Sequence, residues 1–274
     1  MFIAVIFGIF GLIVGSFLNV LIIRWDSKPI TGRSACMSCG RTIPWYDLIP
    51  IFSWIALRGH CRLCGARISL QYILVEASLG LIFLTIGFAP LPLYTRLLAL
   101  PIIAILFAIA VYDLKHTLIP DAWVYFFAAF SLATSLILVT LGETENSVFQ
   151  ILLAGPIVAL PLFAFWFFSD GAWMGFGDVK LALGMGWLLG IGDGLFALFL
   201  AFVLGAFVSV PLLFFSSSAW KRISAQITHR NVSQKLPLTY TMKSEIPFGP
   251  FLISATLIVW IANMYGLALI NLVL

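Results

Sequence analysis

The chain has 274 residues, of which 62% are hydrophobic and only 9% are charged, and it contains 25 Phe and 9 Trp. Such a composition excludes an ordinary soluble globular domain and predicts an all-α polytopic membrane protein. The formal net charge of +4 requires no nucleic-acid partner, because basic loop residues beside a membrane contact the lipid head groups.

Eight segments are apolar over about the 17 to 25 residues that a helix needs to span a bilayer, although the sixth is short. They are residues 2–23, 72–89, 97–112, 123–141, 149–168, 179–190, 195–215 and 248–271. The charges of the first segment follow its apolar run instead of preceding it. We therefore expect an uncleaved anchor at this position and not a signal peptide.

The distribution of basic residues predicts the topology, since Lys and Arg concentrate in cytoplasmic loops. With eight crossings and both termini outside the cytoplasm, 14 of the 15 Lys and Arg residues lie inside, and only Arg96 lies outside. If the sixth segment did not cross, loop 216–247 would be exported with five basic residues. We therefore expect about eight transmembrane helices.

Residues 24–71 differ from the rest of the chain, because charged residues, Cys, Gly and Pro replace the long apolar runs. This change predicts three parts: a first transmembrane helix at 1–23, a small cytoplasmic domain at 24–71, and a seven-helix membrane core at 72–274. A domain of about 45 residues rarely folds on hydrophobic burial alone. The small domain therefore needs another source of stability.

All four cysteines lie in this small domain, as the pairs Cys36 and Cys39, and Cys61 and Cys64, with 21 residues between the pairs. Two C-x-x-C pairs at about this separation are typical of a structural zinc site with four thiolate ligands. Metal binding would also supply the missing folding energy, since binding and folding are coupled in such domains.

Gly40 and Gly65 directly follow the two cysteine pairs and suit the tight backbone turn of a metal-binding knuckle. A redox pair and a disulfide staple are alternative interpretations of the cysteines, but the charge count places them in the reducing cytoplasm. His60 is next to Cys61 and is an alternative ligand. Because four cysteines already complete the coordination, we expect His60 to be a solvated loop residue.

Five aspartates lie in or beside the apolar segments, namely Asp113, Asp121, Asp170, Asp178 and Asp193. Asp193 is expected in an outer turn, Asp170 in a polar loop and Asp121 at a helix N-cap. Asp113 and Asp178 remain, each at the inner end of an apolar segment. Two carboxylates that helix packing brings together are the minimal apparatus of an aspartic protease, since their repulsion forces one of them to hold a proton.

Gly175 and Gly177 favour the protease interpretation, because they leave the backbone beside Asp178 open to an extended substrate chain. The alternative is that Asp113 and Asp178 are helix-end residues, each paired with a nearby lysine such as Lys115 or Lys180.

Glu76 lies near the start of the second segment and is a candidate for a further carboxylate in the cavity of the two aspartates, with a helix-end residue as the alternative. The run at 184–190 has a G-x-G pattern, but it lies in an apolar helix with no preceding strand, so it predicts close helix packing. The same holds for Gly11 and Gly15. No motif therefore places a cofactor-binding site.

Several motifs together resemble one enzyme family across nearly the whole chain. They are GSFLNVLIIR at 15–24, WYDLIPIFSW at 45–54, the two C-x-x-C pairs, VYDLKHTLIPD at 111–121, GFGDVKL at 175–181 and IPFGPFL at 246–252. This set resembles the type IV prepilin peptidases, which are membrane aspartic proteases of the G-x-G-D type.

The resemblance implies an enzyme that removes the basic leader of type IV prepilins and of type II secretion pseudopilins at the cytoplasmic face. Asp113 and Asp178 match the catalytic pair of the family. The cysteine domain is similar to that of the bifunctional members, which also N-methylate the new N-terminal residue with S-adenosylmethionine.

Two hypotheses from other functional classes remain open at this point. A membrane transporter or proton relay could use Asp113, Asp178 and Glu76, and it would need discontinuous helices and inverted repeats. A membrane thiol oxidoreductase could use the two C-x-x-C pairs, and it would need them on the oxidising face.

Overall fold

The computed structural model describes residues 1–25, 31–144, 146–216 and 247–267. Most of the basic loop predicted at 216–247 lies outside the described residues. The helices are α1 Phe2–Arg24, α2 Phe52–Ala56, α3 Leu70–Phe88, α4 Leu93–His116, α5 Asp121–Thr140, α6 Val148–Phe168, α7 Phe176–Leu189, α8 Ile191–Ser216 and α9 Gly249–Met264. A 3-10 helix at Trp45–Leu48 and two isolated antiparallel bridges complete the described secondary structure.

The all-helical membrane class is confirmed, but the predicted count of eight crossings is not. Six described helices, α1, α3, α4, α5, α6 and α8, are long and apolar enough to cross a membrane. Helix α7 has 14 residues and α9 has 16, whereas about 20 are needed to cross a bilayer. The eighth segment, predicted to reach residue 271, ends its helix at Met264, just before Gly266 in the left-handed conformation with φ of 73°.

The chain divides into two compact units, and the division falls inside helices α4 and α9. Among the described residues, the first unit contains 1–112 and 260–267, and the second contains 113–259. The cysteines and Glu76 therefore belong to the first unit, and Asp113 and Asp178 belong to the second.

Within the first unit, α1 packs along α3 through small residues. A Cβ atom at Gly11 would lie 2.7 Å from the carbonyl oxygen of Leu79, and one at Gly15 would lie 2.8 Å from Cα of Glu76. The close packing predicted for these two glycines is confirmed. Small residues allow this approach where hydrophobic burial gives little drive between helices in lipid.

Within the second unit, α7 packs against both α5 and α6. A Cβ atom at Gly184 would lie 2.5 Å from the ring of Phe127, and the Ser135 hydroxyl donates a 2.6 Å hydrogen bond to the carbonyl of Trp187. The glycine run at 184–190 is thus a packing surface, as predicted. These contacts fix the helix whose first turn carries Asp178.

We expect Gly15→Ala to destabilise the protein, because the added methyl group meets backbone atoms that cannot rotate away. The expected loss is about 1 to 3 kcal/mol in the free energy of unfolding, as for other overpacked sites. The matched control is Gly205→Ala, where the nearest atom to an added Cβ is 3.6 Å away. Thermal unfolding of both variants in detergent checks this, and equal midpoints would contradict the packing argument.

Candidate active site and metal centre

The two C-x-x-C segments form a pair of nearly identical turns. The N–H of Gly40 donates to the carbonyl of Cys36 and the N–H of Gly65 to that of Cys61, both at 2.9 Å. Gly40 and Gly65 have φ angles of 70° and 69°, in the left-handed region that favours glycine. The predicted role of both glycines in the knuckle turns is therefore confirmed.

The four thiol groups lie close together around one point, and both knuckles are needed to place them there. The sulfur atoms of Cys36, Cys39, Cys61 and Cys64 all lie within 4.8 Å of one another, and all four cysteines are free thiols. The Cys36 and Cys64 sulfurs are 3.8 Å apart, which is about the edge of a tetrahedron with zinc–sulfur bonds of about 2.3 Å. This donor set fits a zinc ion.

Two further observations support metal binding by this cluster. Hydrogen bonds from the backbone N–H groups of Cys39 and Ser38 lower the pKa of the Cys36 thiol to about 6, whereas desolvation and the hydrogen bonds of the other thiols raise the pKa of Cys64 to about 11. Cys36 is therefore the thiol that most readily supplies a thiolate, the form that binds a metal. In addition, no hydrophobic side chain between residues 31 and 69 is buried. A segment without a hydrophobic core depends on a cross-link of another kind.

His60 is not part of this thiol cluster. Its Nδ1 atom lies 2.7 Å from the carbonyl oxygen of Arg58, and the cluster among the described residues consists of the four cysteines. The second knuckle is instead joined to the 3-10 helix by Arg62. Its guanidinium donates at 2.6 to 3.2 Å to both carboxylate oxygens of Asp47, in the planar two-point pairing typical of Arg.

Asp113 lies in the last turn of α4, and only 4% of its surface is exposed. Its carboxylate accepts a hydrogen bond from the backbone N–H of Gly249, the first residue of α9. A Cβ atom at position 249 would lie 2.5 Å from Oδ2 of Asp113. A helix N-terminus attracts negative charge, but only a residue without a side chain allows this approach.

Asp178 is the third residue of α7, so it also lies at a helix N-terminus. It is 7% exposed, and its Oδ1 atom is buried with no hydrogen-bond partner among the described residues. The negative charge of Asp113 acts on it electrostatically. The second unit therefore brings together the two aspartates that the sequence singled out.

The glycines around Asp178 have different surroundings. A Cβ atom at Gly175 would meet no atom closer than 3.9 Å, and Oδ2 of Asp178 would be 4.0 Å away. One at Gly177 would lie 3.1 Å from Cβ of Ile119, and one at Gly249 would lie 3.2 Å from Cδ1 of the same Ile119. Gly175 thus leaves space beside the carboxylate, whereas Gly177 and Gly249 allow close packing on Ile119.

Lys180 does not neutralise Asp178, although it is only two residues away. Its Nζ atom is 2.7 Å from Oδ1 of Asp121 and lies over the rings of Tyr125 and Phe176 at 5.4 and 5.2 Å. The alternative in which Asp178 pairs with Lys180 therefore has no support in these contacts. The ion pair of Lys180 with Asp121 instead joins the N-terminal ends of α5 and α7.

Two of the other aspartates lie in places that differ from the sequence prediction. Asp121 is the first residue of α5 and Pro120 occupies the N-cap position, without a side-chain cap, so the predicted N-cap role is wrong. Asp193 lies in the first turn of α8, and the turn before it is made by Gly190 with φ of 83°. Asp170 is in the loop after α6, as expected.

Glu76 is in the first unit, where 6% of its surface is exposed. Its Oε2 atom accepts the backbone N–H of Ile51 at 2.8 Å, and Ile51 has a positive φ of 63°. The hydrogen bond joins α3 to the residue that precedes α2. Its predicted place in the cavity of Asp113 and Asp178 stays a prediction, because those residues belong to the other unit.

Sequence reasoning missed two residues near the aspartate site, Ile119 and Gly249, and did not predict the ion pair of Asp121 with Lys180. The segment at 246–252, IPFGPFL, was singled out only as part of the resemblance to a family. A glycine directly before an apolar helix is the feature that could have suggested a close approach to another group.

Comparison with known families agrees with this architecture. Residues 9–89 match the model of the Bacterial Peptidase A24 N-terminal domain, which is named after a class of peptidases. Residues 98–210 match the Type IV leader peptidase family. The chain belongs to the type IV leader peptidase family.

Three relatives are each named prepilin leader peptidase/N-methyltransferase. The relative from Myxococcus xanthus is 42% identical over 43% of this chain and 36% of its own length. The one from Vibrio cholerae is 33% identical over 68% and 78%, and the one from Aeromonas hydrophila is 31% identical over 94% and 89%. No solved structure matches the chain.

We expect the purified protein to carry one zinc ion per chain, and Cys61→Ser to lower that content strongly. Removal of one of four thiolates breaks the closed coordination shell on which this coreless segment depends. Elemental analysis by mass spectrometry measures the content, with Ser53→Ala, outside the thiol cluster, as the control. Metal-free wild-type protein whose thiols are found as disulfides would contradict the prediction.

Proposed function

We propose that this protein is an intramembrane aspartic endopeptidase that removes the basic leader of type IV prepilins and type II secretion pseudopilins. We also propose that it methylates the new N-terminal residue with S-adenosylmethionine. The relatives are named for these two activities. The observation that carries the proposal is the pair of buried carboxylates, Asp113 and Asp178, in one unit of a leader-peptidase chain.

In the proposed mechanism the two carboxylates share one proton, because like charges at short range cannot both be ionised. The ionised member takes a proton from the attacking water, and the protonated member donates to the oxygen of the scissile carbonyl. The backbone N–H of Gly249 donates a hydrogen bond to the carboxylate of Asp113. The open space at Gly175 would admit the extended chain around the scissile bond.

Methylation follows cleavage and acts on the exposed amino group. When bound, S-adenosylmethionine supplies the methyl group: a C–N bond forms and the C–S bond breaks, its electron pair stays on sulfur, and the amine gives up a proton to water. For this step, the new N-terminus of the pilin must either move away from Asp113 and Asp178 or already lie next to the bound methyl donor.

The topology is part of the proposal. We propose eight crossings with both termini outside the cytoplasm of a bacterial inner membrane, where α7 and α9 cross as short helices. Asp113 and Asp178 would then lie on the cytoplasmic side, where a basic leader is held. We further propose a first helix at 1–23, a zinc domain at 24–71 and a protease core at 72–274.

Zinc would have a structural role in this enzyme. Cys36, Cys39, Cys61 and Cys64 would hold it with no position left open for substrate, which is the arrangement of structural zinc sites. The transporter and thiol oxidoreductase hypotheses are set aside, because the family comparison gives them no support.

A single incubation tests the proposed function. Purified protein and a pilin precursor are mixed with and without S-adenosylmethionine, and the pilin is then weighed by mass spectrometry. We expect loss of the leader in both reactions and one added methyl group only with the donor. An uncut precursor would overturn the endopeptidase, and a cut but unmethylated product would overturn only the second activity.

Asp113→Asn and Asp178→Asn should each lower the rate of cleavage by about a thousandfold or more, because an amide cannot exchange the proton that the pair requires. Asp193→Asn is the matched control and should stay close to wild type. Single-turnover rates on one precursor, with protein of equal abundance, measure the effect. If either Asn variant kept a near-normal rate, that residue would not be half of the pair.

Gly249→Ala should also slow cleavage, although position 249 carries no chemical group. The added methyl group would occupy the place of Oδ2 of Asp113, and a misplacement of about 1 Å can cost roughly a hundredfold in rate. Gly205→Ala, where there is room for a methyl group, serves as the control. Equal cleavage rates of the two alanine variants would refute the positioning role of Gly249.

A further inference from the structure

The first unit contains a cavity of about 930 Å³. The roles described above for the thiol cluster and the aspartate pair do not account for it. Its walls come from the second half of α1, the segment that carries the first cysteine knuckle and α2, and the start of α3. Packing defects in protein interiors are rarely larger than a water molecule. Pockets for cofactors and drug-sized ligands measure about 300 to 1,000 Å³, so this cavity has the size of a ligand site.

One wall of the cavity carries a buried carboxylate, that of Glu76. Its polar neighbours are the N–H of Ile51, at 2.8 Å from Oε2, and the hydroxyl of Ser16. Both neighbours are uncharged, and the ion pairs among the described residues involve other carboxylates. Because a buried carboxylate is costly without a cationic partner, this wall is suited to a positively charged ligand.

The other walls carry aromatic side chains, among them Trp45, Trp54 and Tyr72, together with four arginines, Arg24, Arg41, Arg62 and Arg67. The side chain of Trp45 is 75% exposed. The indole N–H of Trp54 is shielded from solvent and has no hydrogen-bond partner among the described residues. Aromatic faces attract cations and stack on flat rings, and a buried donor without a partner is normally satisfied by a ligand or an ordered water.

We propose that this cavity binds the methyl donor, S-adenosylmethionine, an inference that rests on the proposed methylation. The donor combines a sulfonium and an ammonium with a carboxylate and a flat adenine ring, so its groups match a lining of one buried carboxylate, several arginines and aromatic faces. Glu76 would pair with a cationic group, and the aromatic walls would hold the ring. Such a site needs no glycine-rich nucleotide motif, which agrees with the packing role of the glycine run at 184–190.

The proposal also gives the cysteine domain a purpose beyond its own stability. The N–H of Ile51 and the carboxylate of Glu76 join that domain to α3 across the cavity wall. Cys36 and Cys61 border the same cavity. A metal that fixes the two knuckles would therefore also fix one side of the donor site.

Equilibrium binding of radiolabelled S-adenosylmethionine to the full-length protein in detergent is the first test. Glu76→Gln keeps the shape of the side chain and removes its charge, so we expect affinity to fall about tenfold or more, as for a lost charge-assisted hydrogen bond. Glu143→Gln, an exposed glutamate outside the cavity, should bind as wild type does. Equal affinities of the two variants, both with wild-type zinc content, would overturn the proposal.

A second measurement uses the wild-type protein alone and so does not depend on the folding of a variant. Ultraviolet cross-linking of the labelled donor, followed by peptide mapping, should place the label on cavity residues such as Trp45 or Tyr72. Label found only on peptides outside residues 13–76 would overturn the cavity and leave the proposed methylation intact. Wild-type protein that neither binds the donor nor methylates pilin would overturn both.

Discussion

A carboxylate beside the hydrocarbon of a membrane is stable only where protein or water surrounds it, and the proposed mechanism requires two of them at one place. The second unit meets this constraint with backbone groups. Asp113 accepts the N–H of Gly249 at the start of α9, and Asp178 lies in the first turn of α7. The carboxylate of Asp113 thus meets the N-terminus of α9 and Asp178 lies at the N-terminus of α7, where the peptide dipoles favour negative charge.

The packing of α7 follows from the same requirement. A helix of 14 residues has little surface with which to fix its own position, and its partners α5 and α6 approach it through Gly184, Gly186 and Gly155. Lys180 anchors the first turn of α7 to Asp121 and not to Asp178. Lys180 is therefore held by another carboxylate and does not neutralise the mutual repulsion of the aspartates, on which the proposed shared proton depends.

The first unit has a different requirement, since residues 31–69 contain no buried hydrophobic side chain. A metal held by the four cysteines would replace the core, while Gly11 and Gly15 bring α1 onto α3. Glu76 lies where these two arrangements meet, because it is opposite Gly15 on α1 and accepts the N–H of Ile51 from the cysteine domain. A change in the metal site would be transmitted through this hydrogen bond to the wall of the cavity.

Features that depend on neighbours in the sequence were predictable, and those that depend on distant contacts were not. Hydropathy located the eight described helices that have 14 residues or more. The spacing of the cysteines predicted the thiol cluster with its two glycine turns. Hydropathy placed the end of the third segment at residue 112, yet α4 continues to His116, because a helix does not end where its apolar run ends.

The contact of Gly249 with Asp113 and the ion pair of Asp121 with Lys180 join residues that are far apart in the chain. No periodicity encodes such pairs. Sequence did single out both aspartates, since charge in an apolar segment is conspicuous. It could not identify Gly249 and Ile119 beside them, because glycine and isoleucine are ordinary residues in an apolar chain.

The central claim is that Asp113 and Asp178 act as one unit, and the double variant tests it most directly. Cleavage rates are measured for Asp113→Asn, Asp178→Asn and the protein with both changes. The account predicts that the double variant falls to about the same residual rate as either single variant, because residues that act as a unit are lost together. A double variant whose loss equals the product of the two single losses would show independent roles and contradict the shared-proton mechanism.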